Sequence, residues 1–137
     1  GTRVLFDAYN ANPESMASLV RNVLEWNIEG GKKVAVFGEM LELGTESARL
    51  HKELGEMVGS TDFDVVWFMG EHKADFEAGL KASSFQKTHF ISDTYEQTLA
   101  IKLASMLNPQ DIVVVKGSRG MKLERVLEAW GARLTPY

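Results

Sequence analysis

Val4-Leu5-Phe6-Asp7-Ala8-Tyr9-Asn10-Ala11-Asn12-Pro13-Glu14-Ser15-Met16 is the stretch whose reading decides the fold. An apolar run at residues 4–6 breaks into a polar loop. A helical rhythm then takes over, with Met16, Leu19, Val20, Val23, Leu24 and Ile28 recurring at three- and four-residue spacing. Asn12 is placed to cap that helix, since its side-chain oxygen can accept from an unpaired N–H of the first turn. Pro13 suits the first turn because its missing N–H would have no partner there anyway. The stretch reads as strand, polar loop, helix.

The same alternation continues along the chain. Apolar, β-branched runs at residues 34–37, 65–69, 89–91 and 112–115 are each bounded by Gly, Asn, Asp or Ser, giving five expected strands in all. They are apolar on both faces rather than alternating, the pattern of strands buried on both sides of a parallel sheet. Leu50, Leu54, Met57 and Val58 mark a second helix, and a short third one with a thin apolar stripe is expected around residues 75–81. Leu99, Leu103, Met106 and Leu107 mark a fourth, opened by Asp93 with Glu96 three positions on in the manner of a capping box. A last helix follows Leu123, Val126, Leu127, Trp130 and Leu134. Strict strand–helix alternation implies crossover connections and helices on both faces. The expected fold is α/β: a single Rossmann-like domain over residues 1–137, with an open, mostly parallel sheet.

Composition narrows the function classes. The chain has 137 residues, 45% of them hydrophobic and 25% charged, which fits one globular core. A net charge of −4 without a Lys/Arg-rich segment argues against nucleic acid or a membrane surface as partner. Cysteine is absent, so there is no disulfide framework, no thiolate metal site and no Cys nucleophile. No apolar run approaches the length of a membrane span and no signal-peptide pattern is present, so a cytoplasmic location is expected. Gly1 and Thr2 precede the first strand without an initiator Met, as in a piece of a longer chain.

In an open α/β sheet, ligands bind beyond the carboxyl ends of the strands. The turns at the opposite edge, such as Glu29-Gly30-Gly31-Lys32 and Asn108-Pro109-Gln110, carry ordinary turn chemistry. Donors, acceptors and glycines gather instead in the loops that follow the strands. Asp7, Tyr9, Asn10 and Asn12 supply a carboxylate, a phenol and two amides, and Asp7 can accept from paired sugar hydroxyls. Lys116, Gly117, Ser118 and Arg119, with Gly120, put two cations and a hydroxyl in a loop leading to a helix N-terminus, suited to an anion. Their removal would disturb no apolar core position. Glu39 and Glu42 sit among Met40, Leu41 and Leu43, a setting that favours a docking surface or a satellite core cluster over acid–base work. His51 reads as a surface or capping group, and neither His72 nor His89 has a partner at metal-ligand spacing, so no metal site is expected. A purely structural role for Asp7 and a solvated turn at residues 116–119 remain alternatives at this level.

Residues 7–14 contain no glycine, which disfavours a dinucleotide, and no G-x-x-x-x-G-K-[ST] stretch occurs anywhere. Any ATP chemistry must be shared with another domain, and the chain by itself owns no catalytic residue.

Read as a set, three strings carry a resemblance: Asp7-x-Tyr9-Asn10-Ala11-Asn12-Pro13-x-Ser15-Met16; Val36-Phe37-Gly38-Glu39-Met40-Leu41-Glu42-Leu43-Gly44 with His51-x-Glu53-Leu54-Gly55; and Val115-Lys116-Gly117-Ser118-Arg119-Gly120-Met121. In this order and spacing they resemble the C-terminal domain of the Mur ligases, in the branch that joins D-alanyl-D-alanine to UDP-N-acetylmuramoyl-tripeptide during cell-wall synthesis. The resemblance implies an N-terminal uridine-nucleotide domain and a central ATPase domain outside this chain. It further implies ATP and Mg2+ held mainly by that central domain, and an acyl-phosphate intermediate attacked by the dipeptide amine. Asp7 would then meet the ATP ribose, and Tyr9, Asn10 and Asn12 would line the nucleotide or dipeptide side of the cleft. Lys116, Gly117, Ser118 and Arg119 would border the dipeptide. The alternatives are another Mur-type or folylpolyglutamate-synthetase-like ligase domain, against which the Asn-Ala-Asn-Pro and Lys-Gly-Ser-Arg-Gly-Met strings argue, and a stand-alone anion- or protein-binding module.

Overall fold

The computed structural model describes residues 2–7, 11–118 and 121–131, together with the backbone of 134–136. Six parallel strands form one sheet in the order β4-β3-β2-β5-β1-β6. They are β1 (Thr2–Asp7), β2 (Lys33–Gly38), β3 (Val65–Met69), β4 (Thr88–Ser92), β5 (Ile112–Lys116) and β6 (Leu134–Pro136). Between them run α1 (Pro13–Leu24), α2 (Ser47–Gly59), α3 (Lys73–Ala82), α4 (Gln97–Ala104) and α5 (Glu124–Trp130).

Alternation along buried strands sorts the side chains into two cores. Ala35, Phe37, Val66, Phe68 and Val114 face α1, α2 and α3, meeting Met16, Val20, Leu54, Val58, Phe76 and Leu80. Val34, Val36, Trp67, Val113 and Val115 face α4 and α5, meeting Leu103, Val126 and Trp130. The two buried indoles are satisfied, Trp67 Nε1 donating to Ser92 Oγ at 2.9 Å and Trp130 Nε1 to the Ala100 carbonyl at 2.9 Å. Among the described residues no helix is long and apolar enough to cross a membrane.

The expected α/β sheet is present, with differences at its margins. A sixth strand was not expected, and Leu134 belongs to it rather than to the last helix. Gly131, at φ +52°, ends α5, and the chain then pairs along β1 with Leu134 opposite Thr2. The apolar rhythm had simply carried on across that break. At α4 the expected capping residue does something else: Asp93 pairs with Lys73 Nζ at 3.1 Å, and the helix begins at Gln97 after an extended Glu96 that makes no side-chain cap bond. Met106 and Leu107 lie past the end of α4 yet pack in the same core, and Ile28 lies beyond the end of α1. The thin-striped α3 is stabilised by proximity: a Cβ on Gly79 would lie 2.1 Å from the Lys52 carbonyl oxygen, and one on Gly55 2.1 Å from that of Phe76. Helices α2 and α3 therefore meet almost backbone to backbone, where a glycine costs helix propensity but gains close packing. At α1 the cap is reciprocal, Ser15 N donating to Asn12 Oδ1 at 2.8 Å and Asn12 N to Ser15 Oγ at 3.1 Å.

Candidate functional site

The chain from β5 leaves toward α5 on one face of the sheet, whereas its neighbours β1 and β2 leave toward α1 and α2 on the other. Connections therefore diverge around the carboxyl end of β5, which is where an open α/β sheet has room for a ligand. Asp7 ends β1 and Lys116 ends β5, and the parallel register sets the two side by side.

Lys116 Nζ donates to Asp7 Oδ2 at 2.7 Å; the lysine side chain is 4% exposed and the aspartate 51%. Lys116 shares the sheet face of Val114 and Asp7 that of Leu5, so the pair lies on the side covered by α1. There it closes one end of a groove of about 270 Å3 that also exposes Ser15, Ser18, Leu19 and Asn22. A solvated turn is thereby ruled out for Lys116, which is itself buried although it is no apolar core position. The loop's described residues Lys116, Gly117 and Ser118 lie well before the first turn of α5, which begins at Glu124. The pair presents a fixed cation with an outward-facing carboxylate beside it, able to accept hydroxyl or amine protons while the ammonium neutralises part of its charge.

Gly117 is a glycine for close approach. Its φ is not positive, but a Cβ there would lie 2.7 Å from Leu123 Cδ1 and 2.9 Å from Gly38 Cα. A Cβ on Gly38 would lie 2.9 Å from Met121 Cγ. The loops after β2 and β5 thus pass in direct contact, with Gly117 N donating to the Asp7 carbonyl at 3.2 Å. Ser118, 6% exposed, is the exception to a well-paired interior: its Oγ is buried and has no hydrogen-bond partner among the described residues. Asn12 does cap α1, so its Oδ1 is engaged. Tyr9, Asn10, Arg119 and Gly120 lie outside the described residues.

The loop at residues 38–44 joins this rim. Met40 is buried in the α2 core and Leu43 packs against it, as the apolar setting suggested, while Leu41 stays exposed. Glu39 Oε2 accepts from Glu71 N at 3.1 Å, tying the loop after β2 to the loop after β3. Glu42 sits at φ +61° just before Gly44 at +60°. Among the described residues no three His, Asp or Glu side chains converge as metal ligands.

His51 is where the expectation fails outright: it is neither a surface nor a capping group but fully buried. Its Nε2 accepts from Met40 N at 2.9 Å, and its Nδ1 lies 2.7 Å from the Ser47 carbonyl. Burial holds its pKa below the ordinary 6.5, the Ser47 carbonyl opposing that shift and the neighbouring His72 adding to it. The sequence held one signal for this: 51, 54, 55 and 58 share the helical spacing of the buried stripe. His72 pairs with Asp75 at 2.9 Å and His89 with Glu77 at 2.9 Å, so both are engaged by carboxylates.

Comparison with known proteins agrees with this architecture. The family described as "Mur ligase, glutamate ligase domain" matches residues 1–119. The UDP-N-acetylmuramoyl-tripeptide--D-alanyl-D-alanine ligase of Bacillus subtilis (strain 168) is 34% identical over 129 residues, covering 93% of this chain and 28% of that protein. The enzyme of the same name from Escherichia coli (strain K12) is 32% identical over 128 residues, covering 92% and 26%. Among solved structures, the MurF ligase of Thermotoga maritima in complex with ADP superposes with a TM-score of 0.70 at 30% identity, covering 93% of this chain and 27% of that one. MurF from Acinetobacter baumannii superposes at 0.75 and 28% identity, covering 93% and 27%. The chain thus spans about a quarter of the length of these relatives. With a family match over residues 1–119 and the same parallel α/β fold as its solved relatives, the chain belongs to the Mur ligase family.

Proposed function

We infer that this chain is the C-terminal domain of a ligase that joins D-alanyl-D-alanine to UDP-N-acetylmuramoyl-tripeptide, driven by ATP, in cytoplasmic peptidoglycan synthesis. It acts there as the lid over the nucleotide and dipeptide sites, with the N-terminal and central ATPase domains lying outside these 137 residues. One observation carries the reading. The carboxyl-end rim holds the Asp7–Lys116 pair and, two positions on from Lys116, a buried Ser118 hydroxyl with no partner among the described residues, the profile of half a binding site. The D-alanyl-D-alanine ligase names of the relatives favour this acceptor over other amino acids.

In such a ligase ATP converts the tripeptide carboxylate to an acyl phosphate, which the dipeptide amine attacks to give the amide and phosphate. Acyl phosphates hydrolyse readily, so a closing domain contributes by excluding water and aligning the amine, without owning nucleophile or metal. Asp7 is the acceptor for the ATP ribose, with Tyr9, Asn10 and Asn12 along the same wall. Lys116, Gly117, Ser118 and Arg119 border the dipeptide. The residues of this chain act by binding and alignment.

The test is steady-state kinetics of the full-length protein, varying ATP and D-alanyl-D-alanine in turn, with single amino acids and glutamate as control acceptors. Ligation confined to the dipeptide supports the reading, and Asp7→Ala should raise the KM for ATP more than that for the dipeptide. Equal acceptance of glutamate overturns it. The chain by itself should bind ATP with a Kd of about 1 mM or weaker, roughly −4 kcal/mol, because the rest of the site lies elsewhere; calorimetry showing micromolar binding would contradict a shared site.

A further inference from the structure

His51 lies in α2, on none of the loops assigned a ligand, yet it is fully buried and bonded on both ring nitrogens. The Ser47 carbonyl 2.7 Å from Nδ1 can only accept, and the Met40 N–H 2.9 Å from Nε2 can only donate. Together they determine the tautomer: neutral imidazole with its proton on Nδ1. The ring is held in place by its neighbours, stacked on His72 with centroids 4.8 Å apart and edge-on to Phe68 at 5.8 Å. A second proton would set Nε2–H against Met40 N–H, two donors face to face in a buried space. Met40 follows Gly38 and Glu39. Gly38 packs on Gly117 and Met121, and Glu39 receives the Glu71 N–H. One imidazole therefore holds the segment that touches the β5 loop on one side and the β3 loop on the other.

We propose that His51 is a positioning residue, whose neutral Nδ1–H form clamps Met40 and with it the 38–44 loop against the ligand rim, and whose protonation releases that loop. The inference deepens the ligase reading and rests on it only for the kinetic part of the test. The charged and titratable groups facing the ring are Glu39 from the loop after β2, His72 from the turn before α3 and Asp75 from α3. Glu39 and Asp75 favour the cation while His72 and burial oppose it, and burial is the largest influence. Because the folded-state pKa lies below the unfolded value of about 6.5, the contribution of His51 to stability is complete above that pH. It declines as pH falls from there toward the folded pKa, since the unfolded chain takes up the proton first.

Three forms of the chain separate the clamp from mere packing: wild type, His51→Gln, whose Oε1 can still accept from Met40 N but cannot titrate, and His51→Phe, which fills the volume without an acceptor. The measurement is amide exchange and imidazole 15N shifts by NMR from about pH 8 to about pH 5. In wild type the Met40 amide should be protected at neutral pH and lose at least about tenfold of its protection once the 15N shifts show His51 protonated, matching a lost buried hydrogen bond of about 1.4 kcal/mol. The Lys32 and Asn108 amides at the opposite rim should keep theirs. His51→Gln should stay protected throughout, and His51→Phe should be exposed throughout. Should His51→Phe fail to fold, wild type and His51→Gln still decide. Protection of Met40 that is indifferent to pH in wild type, or that falls equally in His51→Gln, overturns the clamp. In the full-length ligase, His51→Phe should raise the KM for ATP or D-alanyl-D-alanine at least about tenfold, with His51→Gln restoring it. An active wild type with an unchanged KM in His51→Phe refutes the positioning role alone. An inactive wild type refutes the ligase reading, and the amide exchange of Met40 then decides the clamp by itself.

Discussion

The two ends of the sheet are built from similar residues and treat them in opposite ways. At the amino end, Asp111 is 1% exposed and satisfies three donors: Lys32 N at 2.8 Å, Asn108 N at 2.9 Å and Lys32 Nζ at 2.8 Å. Asp64 accepts from Lys33 N and from Lys87 Nζ, and Thr2 Oγ1 donates to the Asn108 carbonyl. At the carboxyl end a buried lysine leans on a half-exposed aspartate, and a buried serine hydroxyl goes without a partner among the described residues. The amino end commits its polar groups to the fold, whereas at the carboxyl end the Ser118 hydroxyl has no partner among the described residues, and a buried unpaired hydroxyl adds nothing to a fold.

Substitutions can break this contrast. The largest effect should come from Asp111→Ala, which strands two backbone N–H groups and a lysine; urea unfolding should show a loss of about 3 to 5 kcal/mol. Catalysis by whatever protein remains folded should be unaffected. A loss below about 1 kcal/mol would mean that water replaces the carboxylate, and the amino rim would no longer be the structural one. Lys116→Ala comes next and should divide its effect. Stability should fall modestly, because the released Asp7 is half in water, while kcat/KM of the full-length ligase should fall by about 2 to 4 kcal/mol in transition-state terms. Wild-type kcat/KM would make the Asp7–Lys116 pair a fastening like Asp111. The smallest effect, and the sharpest in sign, belongs to Ser118→Ala. Removing an unpartnered hydroxyl should leave the thermal midpoint unchanged or slightly higher, yet raise the KM for D-alanyl-D-alanine by the equivalent of about 1 kcal/mol. A lowered midpoint with an unchanged KM would show the hydroxyl to be paired within the fold.

Much of this contrast is legible along the chain and some of it is not. Local patterns declare themselves wherever the cause is local. The Asn12-Pro13 start of α1 and the five apolar runs stand out, because capping and burial leave marks within a few residues. The carboxyl-end loops stand out by their concentration of Asp, Asn, Lys and Gly. Sequence misleads where a partner lies far away along the chain. Asp93 looks like a cap and pairs with Lys73 instead. Leu134 continues a helical rhythm that Gly131 has already ended. Lys116 reads as a rim cation open to an anion because the carboxylate it pairs with lies 109 positions away, and His51 looks superficial because the N–H it accepts from belongs to the 38–44 loop.

What the sequence alone determined is the order of the first five strands and the five helices, the rim that carries the polar loops, and the resemblance to one ligase family. These follow from periodicity and from residue types that act within one turn of chain. Tertiary structure alone decided which polar groups are occupied. It set Asp7 beside Lys116 by strand register, drew Gly38 against Gly117, pinned the imidazole of His51 to one tautomer and left the Ser118 hydroxyl without a partner among the described residues. The reason is that hydrogen bonds and ion pairs depend on distances of a few tenths of an ångström between groups remote in sequence, and only the packed sheet sets those distances.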